Sequence, residues 1–196
     1  MRRGGVEKRM RIITGKFKGR ALTTVRDISV RPATDRVKGT IFNVLQNRLG
    51  LGGAAVLDLF AGSGSLGFEA LSRGAAHVVF VDDNDEVVDL IEKNAEKLNC
   101  AGDCDFIASD VFSFIERNSG KFDLIFADPP YVYEELPDIL TVIFNRQLLK
   151  SDGFLIMEHS KRTMFETSPL YRIVVQKEFG NTRVSFFTHN MEIAPT

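Results

Sequence analysis

From residue 54 onward, short apolar runs alternate with stretches whose apolar positions recur every three or four residues. AVLDLF (55–60), HVVFVD (77–82), FDLIFAD (122–128) and GFLIMEH (153–159) are continuous enough to be strands buried on both faces, and 105–108 is a shorter one. Between them the period lengthens and predicts helices over 65–73, closed by Gly74, then 84–98, 111–117 and about 134–147. In 84–98 the inward face is Val87, Val88, Ile91, Ala95 and Leu98. YRIVVQKEF and TRVSFFTH flank Gly180-Asn181 and predict a closing hairpin. Apolar strands separated by helices imply an α/β fold with a mostly parallel sheet covered on both faces, and the hairpin adds an antiparallel strand at its edge.

The first fifty residues follow a different pattern. MRII (10–13) and RALTTV (20–25) are short β-like runs joined through Gly15 and Gly19, which predicts a small hairpin. Pro32 holds Arg31 extended. A helix then starts near Thr34 or Asp35, both good caps, and carries Val37, Ile41, Val44, Leu45 and Leu49 on one face before Gly50, Gly52 and Gly53 end it. The chain therefore divides into an extension, 1–50, and a body, 51–196.

Charge sharpens that division. The chain has 196 residues and a formal net charge of −1. Residues 1–38 hold twelve Lys and Arg against Glu7, Asp27 and Asp35, giving +9; the remainder holds thirteen against twenty-three acids, giving −10. A basic arm on an acidic body is either a solvated extension or a footprint for a polyanion. As such an arm it should be separable, so that removing 1–33 leaves a folded domain. The length suits one main domain. No apolar run approaches the ~20 residues of a membrane span. The basic N-terminus has no apolar stretch behind it, which argues against a secretory signal. Cys100 and Cys104 are too few for a disulfide framework or a zinc site, and point to a reducing cytoplasm. His77, His159 and His189 fit no nucleophile arrangement and read as structural.

The chemistry gathers at strand ends. The first strand runs into Asp58-Leu59-Phe60-Ala61-Gly62-Ser63-Gly64, and Gly67 completes a G-x-G-x-x-G pattern between a strand and a helix. Such a loop lets a ligand lie against the backbone, although a tight turn alone would also use these glycines. Asp82-Asp83 ends the second strand, at about the spacing where a carboxylate takes the ribose hydroxyls of a nucleotide. Asp58 would repel a pyrophosphate and attract the cationic methionyl end of S-adenosylmethionine. Asp110 could accept an adenine amino group while Val111 offers its N–H; equally, Asp110 could only cap the helix at 111–117. The fourth strand meets Asp128-Pro129-Pro130-Tyr131, the most specific signal in the chain. Two prolines fix a rigid turn, an aromatic can stack on a base, and the carboxylate can hold a conjugated amine and take its proton.

AVLDLFAGSGSLGFEALSRGA followed by DPPY resembles the class I S-adenosylmethionine-dependent methyltransferases that modify amino groups. RIITGKFKGRAL, RPATDRVKGTIFNVL and the ending FGNTRVSFF are similar to the RsmD family, which methylates guanine N2 in small-subunit ribosomal RNA. The resemblance spans about residues 10–188. It implies a three-layer Rossmann-like sheet, with Asp58 and 60–64 on the methionyl part and Asp82 and Asp83 near the ribose. Asp110 and Val111 would lie at the adenine, and Asp128, Pro129, Pro130 and Tyr131 around the guanine amine. It further implies S-adenosylhomocysteine as product, no metal, and a monomer acting on ribosomal RNA, within an assembling subunit or free. One departure is Gly39, where the family carries an acid.

We expect the extension to cross the carboxyl edge of the sheet, with Arg11, Lys16, Lys18, Arg20, Arg31 and Arg36 on RNA phosphates. The competing readings are a DNA adenine-N6 or protein glutamine-N5 methyltransferase, an NAD-dependent oxidoreductase, and a non-catalytic RNA-binding module.

Overall fold

A computed structural model describes residues 10–24, 35–129 and 136–190. Seven strands form one sheet: β1 (Ala55–Leu59), β2 (His77–Asp82), β3 (Cys104–Ala108), β4 (Phe122–Ala127), β5 (Leu149–Ser160), β6 (Tyr171–Phe179) and β7 (Thr182–His189). Their order is β3-β2-β1-β4-β5-β7-β6. The first five are parallel, and β7 lies antiparallel between β5 and β6. The five α-helices among the described residues are α1 (Asp35–Gln46), α2 (Ser65–Ser72), α3 (Asp85–Leu98), α4 (Val111–Arg117) and α5 (Leu136–Asn145).

The two-residue period of the strands sorts the core into two layers. Val56, Val78, Phe80, Leu124, Phe126 and Ile156 face one side and pack with Ile41, Phe42 and Leu45 of α1, Phe68 of α2 and Ile91 of α3. Leu57, Leu59, Val81, Ile125, Ala127, Leu155 and Met157 face the other and meet Phe114 and Ile115 of α4 and Ile139, Leu140 and Ile143 of α5. This is the three-layer α/β/α arrangement expected from the pattern. Among the described residues no helix is long and apolar enough to cross a membrane.

The extension departs from the expected arm. Met10, Ile12 and Leu22 are buried in the same core as β1 and β2. The predicted hairpin is present but short: Arg11 and Ala21 form an antiparallel bridge, the Ile12 amide donates to the Arg20 carbonyl at 3.0 Å and the Leu22 amide to the Met10 carbonyl at 2.9 Å, with residue 25 outside the described segments. Other amides of the segment bond to the helices. The Ile13 amide donates to Glu69 Oε2 at 2.8 Å, the Lys16 amide to the Ser72 carbonyl at 2.8 Å, and the Thr23 amide to Asn94 Oδ1 at 2.9 Å. Lys38, counted among the arm's charges, is fully buried and donates from Nζ to the Arg11 carbonyl at 2.6 Å. Burial lowers its pKa, against the attraction of Glu69 and Asp35. Removing 1–33 would therefore strip three core side chains and orphan several polar groups, which weighs against the separability its composition suggests.

Smaller differences have local causes. Helix α1 stops at Gln46, leaving Leu49 just beyond it and half-buried. Strand β1 ends at Leu59 because Phe60 turns to φ 56°. Strand β5 begins at Leu149, ahead of the apolar run, because Leu149 pairs with Phe122 before a shift in register restarts the ladder at Leu124 and Phe154.

Candidate functional site

The β1–α2 turn is built from left-handed residues: Phe60 at φ 56°, Gly62 at φ 53° and Gly64 at φ 71°. A phenylalanine there costs about 1–3 kcal/mol, so the surroundings must hold it. They do so through the Ala61 amide, which donates to the Val81 carbonyl at 3.0 Å, and the Gly62 amide, which donates to Asp82 Oδ2 at 2.9 Å. The motif glycines divide their labour. A Cβ on Gly62 would meet only the Phe60 carbonyl, at 3.9 Å, so its backbone faces open space. A Cβ on Gly67 would lie 2.3 Å from the Phe80 ring, so that glycine serves the packing of α2 on β2.

Four acids share one face of the sheet at its carboxyl edge. Asp58 follows Val56, Asp82 follows Phe80, Asp128 follows Phe126 and Glu158 follows Ile156, each two residues beyond a side chain in the same core layer. Pairing of Asp58 with Phe126 and of Phe126 with Ile156 sets β1, β4 and β5 in line there. Asp58 is buried and accepts from the Gly67 amide at 2.9 Å. Burial, with a smaller push from Asp82, raises its pKa to about 8 despite that bond. Asp82, half-buried, accepts from the amides of Gly62 and Asn84 and is raised mainly by burial. Asp128, half-buried beyond the end of β4, is raised well above the carboxylate range by burial, then by the charges of Glu158 and Asp58. No positive side chain is among the causes of these three shifts.

The remaining expected site residues fall around this cluster. Ala61 is buried, Ser63 is half-buried, and Asp83 is exposed beside Asp82. Asp110 is exposed and caps α4 through the Ser113 amide at 2.8 Å, and Val111 is buried. Pro129 is buried; Pro130, Tyr131 and Arg31 lie outside the described residues. Glu158 was absent from the sequence reading. Its strand, GFLIMEH, is apolar on both faces, so only the alternation counted from Ile156 could have found it.

Among the described residues, the basic side chains of the turn at 14–20 do not gather at this edge. Helices α2 and α3 leave the carboxyl edge and run back toward the amino edge. The turn at 14–19 docks on Ser72, the last residue of α2, and so lies toward the amino edge. Lys16 sits 3.9 Å from Asp103, Arg20 donates to the Lys97 carbonyl, and Lys18 is exposed in the same turn. For residues 14–20 this differs from the expectation that the extension crosses the carboxyl edge; Arg31 and the rest of 25–34 lie outside the described residues. Arg36 is the exception: it opens α1 and stands 6.0 Å over the ring of Phe179, at the far end of β6. Arg11 pairs with Asp35 at 2.9 Å, at the start of the same helix.

Three carboxylates, Asp58, Asp82 and Asp128, whose shifts have no positive side chain among their causes, fit a cationic ligand under an open loop and oppose a pyrophosphate. S-adenosylmethionine, with its sulfonium and ammonium, suits that donor set; a nicotinamide dinucleotide does not. Among the described residues no group of three or more His, Cys, Asp or Glu could hold a metal ion.

A family model described as conserved hypothetical protein 95 matches residues 10–188. A Bacillus subtilis protein provisionally named rRNA methyltransferase YlbH is 37% identical over 183 residues, covering 91% of this chain and 98% of its own. Ribosomal RNA small subunit methyltransferase D of Haemophilus influenzae is 33% identical over 174 residues, covering 87% and 89%. A solved Escherichia coli structure, provisionally described as methyltransferase yhhF, superposes with a TM-score of 0.81 at 29% identity, covering 92% of this chain and 98% of that one.

Proposed function

Because the chain belongs to the family described as conserved hypothetical protein 95, the RsmD-type methyltransferases, we propose that it methylates the exocyclic N2 amine of a guanine in small-subunit ribosomal RNA. The observation that supports this reading is the row of acids on one face of the carboxyl edge, with Asp128 opening the sequence DPPY.

S-adenosylmethionine, when bound, supplies an electrophilic methyl group. Asp58 and the loop 60–64 receive its methionyl end, Asp82 and Asp83 its ribose, and Asp110 with Val111 its adenine. A positive charge beside Asp58 restores that carboxyl to its ionised form, which turns the cost of burying it into affinity. The guanine amine is a poor nucleophile because its lone pair is delocalised into the ring. Asp128, accepting one of its hydrogens, favours a tetrahedral nitrogen with a localised pair. As the new N–C bond forms and the S–C bond breaks, Asp128 takes the proton the nitrogen gives up. Asp128 needs no metal for this, and no bond forms to the enzyme. Arg36 and Arg11, beside the first turn of α1, would meet phosphates on that side of the sheet.

The experiment is to incubate labelled S-adenosylmethionine with small ribosomal subunits, or their naked RNA, from a strain lacking the enzyme. Label in N2-methylguanosine, lost with Asp128→Ala, is the expected result. Label in N6-methyladenosine or in protein would overturn the substrate, and no transfer would overturn the reading.

A further inference from the structure

We propose that Glu158 selects the base: it accepts the N1–H of the target guanine while Asp128 holds the neighbouring amine. The inference rests on the reading just given and adds a residue to it.

Three observations converge on Glu158. Ala127 and Met157 are paired in the parallel β4–β5 ladder, so Asp128 and Glu158 are the next positions along adjacent strands, about 4.8 Å apart. Alternation puts them on one face: Phe126 and Ile156 precede them in the same core layer. The neighbouring His159 goes to the other face, edge-on to Phe165 at 4.8 Å. The Glu158 charge is also the largest charge acting on Asp128.

Two adjacent carboxylates are an acceptor–acceptor surface, and the base that matches it has two adjacent donors. Guanine presents N1–H beside N2–H₂. Adenine presents N6–H₂ beside a bare N1, and cytosine N4–H₂ beside a bare N3. A single carboxylate on the amine cannot tell these apart. A second one attracts N1–H and repels a ring lone pair, so guanine is admitted and the others are refused. The bound base also lowers the repulsion within the pair, because each carboxylate gains a donor.

The test uses small-subunit RNA carrying 2-aminopurine at the target position, which keeps the 2-amino group but has no hydrogen on N1. Wild-type enzyme should prefer guanine to 2-aminopurine by roughly 10- to 100-fold in kcat/KM. Glu158→Gln offers an amide N–H to the bare N1, and should shrink that preference to a few-fold while S-adenosylhomocysteine affinity stays as in wild type. Comparing preferences within each enzyme cancels the difference in amine reactivity between the bases, and the wild-type arm needs no variant to fold. Equal preference in wild type and Glu158→Gln, or a wild type that treats both bases alike, would overturn the role of Glu158 and leave the methylation reading intact. A wild type that leaves guanine unmethylated would overturn both.

Discussion

Asp58→Asn should make the protein more stable and less able to bind its cofactor. The carboxyl is buried and accepts from the Gly67 amide at 2.9 Å, a bond the asparagine oxygen keeps. Its pKa rises from 3.8 in the unfolded chain to about 8 in the folded one. The folded state therefore holds a proton that the unfolded state has released, and stability is fully present below about pH 4 and drains away as the pH climbs to about 8. Four units at about 1.4 kcal/mol each make the loss roughly 5 kcal/mol, a large share of the ~5–15 kcal/mol that holds a typical domain together. Asparagine has nothing to titrate. Urea unfolding of both proteins across this range should give curves that meet near pH 4 and diverge upward, with the variant ahead by roughly 5 kcal/mol at the alkaline end. Calorimetry should show S-adenosylmethionine binding weakened about 10- to 100-fold, the value of a charge-assisted contact. Parallel stability curves would refute the burial argument, and unchanged affinity would remove Asp58 from the methionyl end.

Glu69→Ala should cost about 3–5 kcal/mol in urea unfolding, because Glu69 is fully buried, accepts from Arg73 Nε at 2.9 Å and from the Ile13 amide, and faces the buried Lys38. One substitution should have opposite signs at two glycines. Gly67→Ala drives a methyl into the Phe80 ring and should lower the melting temperature by the equivalent of about 1–3 kcal/mol, whereas Gly39→Ala has room, meeting only Ile13 Cδ1 at 3.8 Å, and should gain about 1 kcal/mol within α1. Deleting residues 1–33 should abolish cooperative unfolding by circular dichroism, since Met10, Ile12 and Leu22 leave the core; a sharp native-like transition would show that the segment only rests on the body.

Much of the frame was legible because its signals are local. β2, α4, β6 and β7 fall where the apolar runs and glycine turns put them. The acids at strand ends were legible as chemistry, since a strand–glycine–helix junction and DPPY need no tertiary knowledge. The extension was not. Its Lys and Arg counted equally toward +9, yet the buried Lys38 is held by the Arg11 carbonyl and Arg20 by the end of α3. Composition counts charges but gives no direction, and a segment that docks across helices far along the chain leaves no periodic trace. Phe42 was missed for a related reason: it widens the apolar face of α1 toward Phe126, with their rings 5.7 Å apart, and only the partner reveals that the face is broad. Glu158 hides in a strand apolar on both sides.

The docking of the N-terminal segment has a consequence for biosynthesis. Ile13 bonds to a residue 56 positions later, Phe17 to one 55 later, Thr23 to one 71 later and Arg20 to one 77 later. At about 5–20 residues per second, this segment must wait roughly 3–15 s before its partners on α2 and α3 exist. The segment is thus among the last parts to settle, although it precedes its partners in the chain. Nascent chains stalled before α3 is complete should be cut readily by trypsin at Lys16, Lys18 and Arg20, and chains stalled after β5 should be cut there slowly.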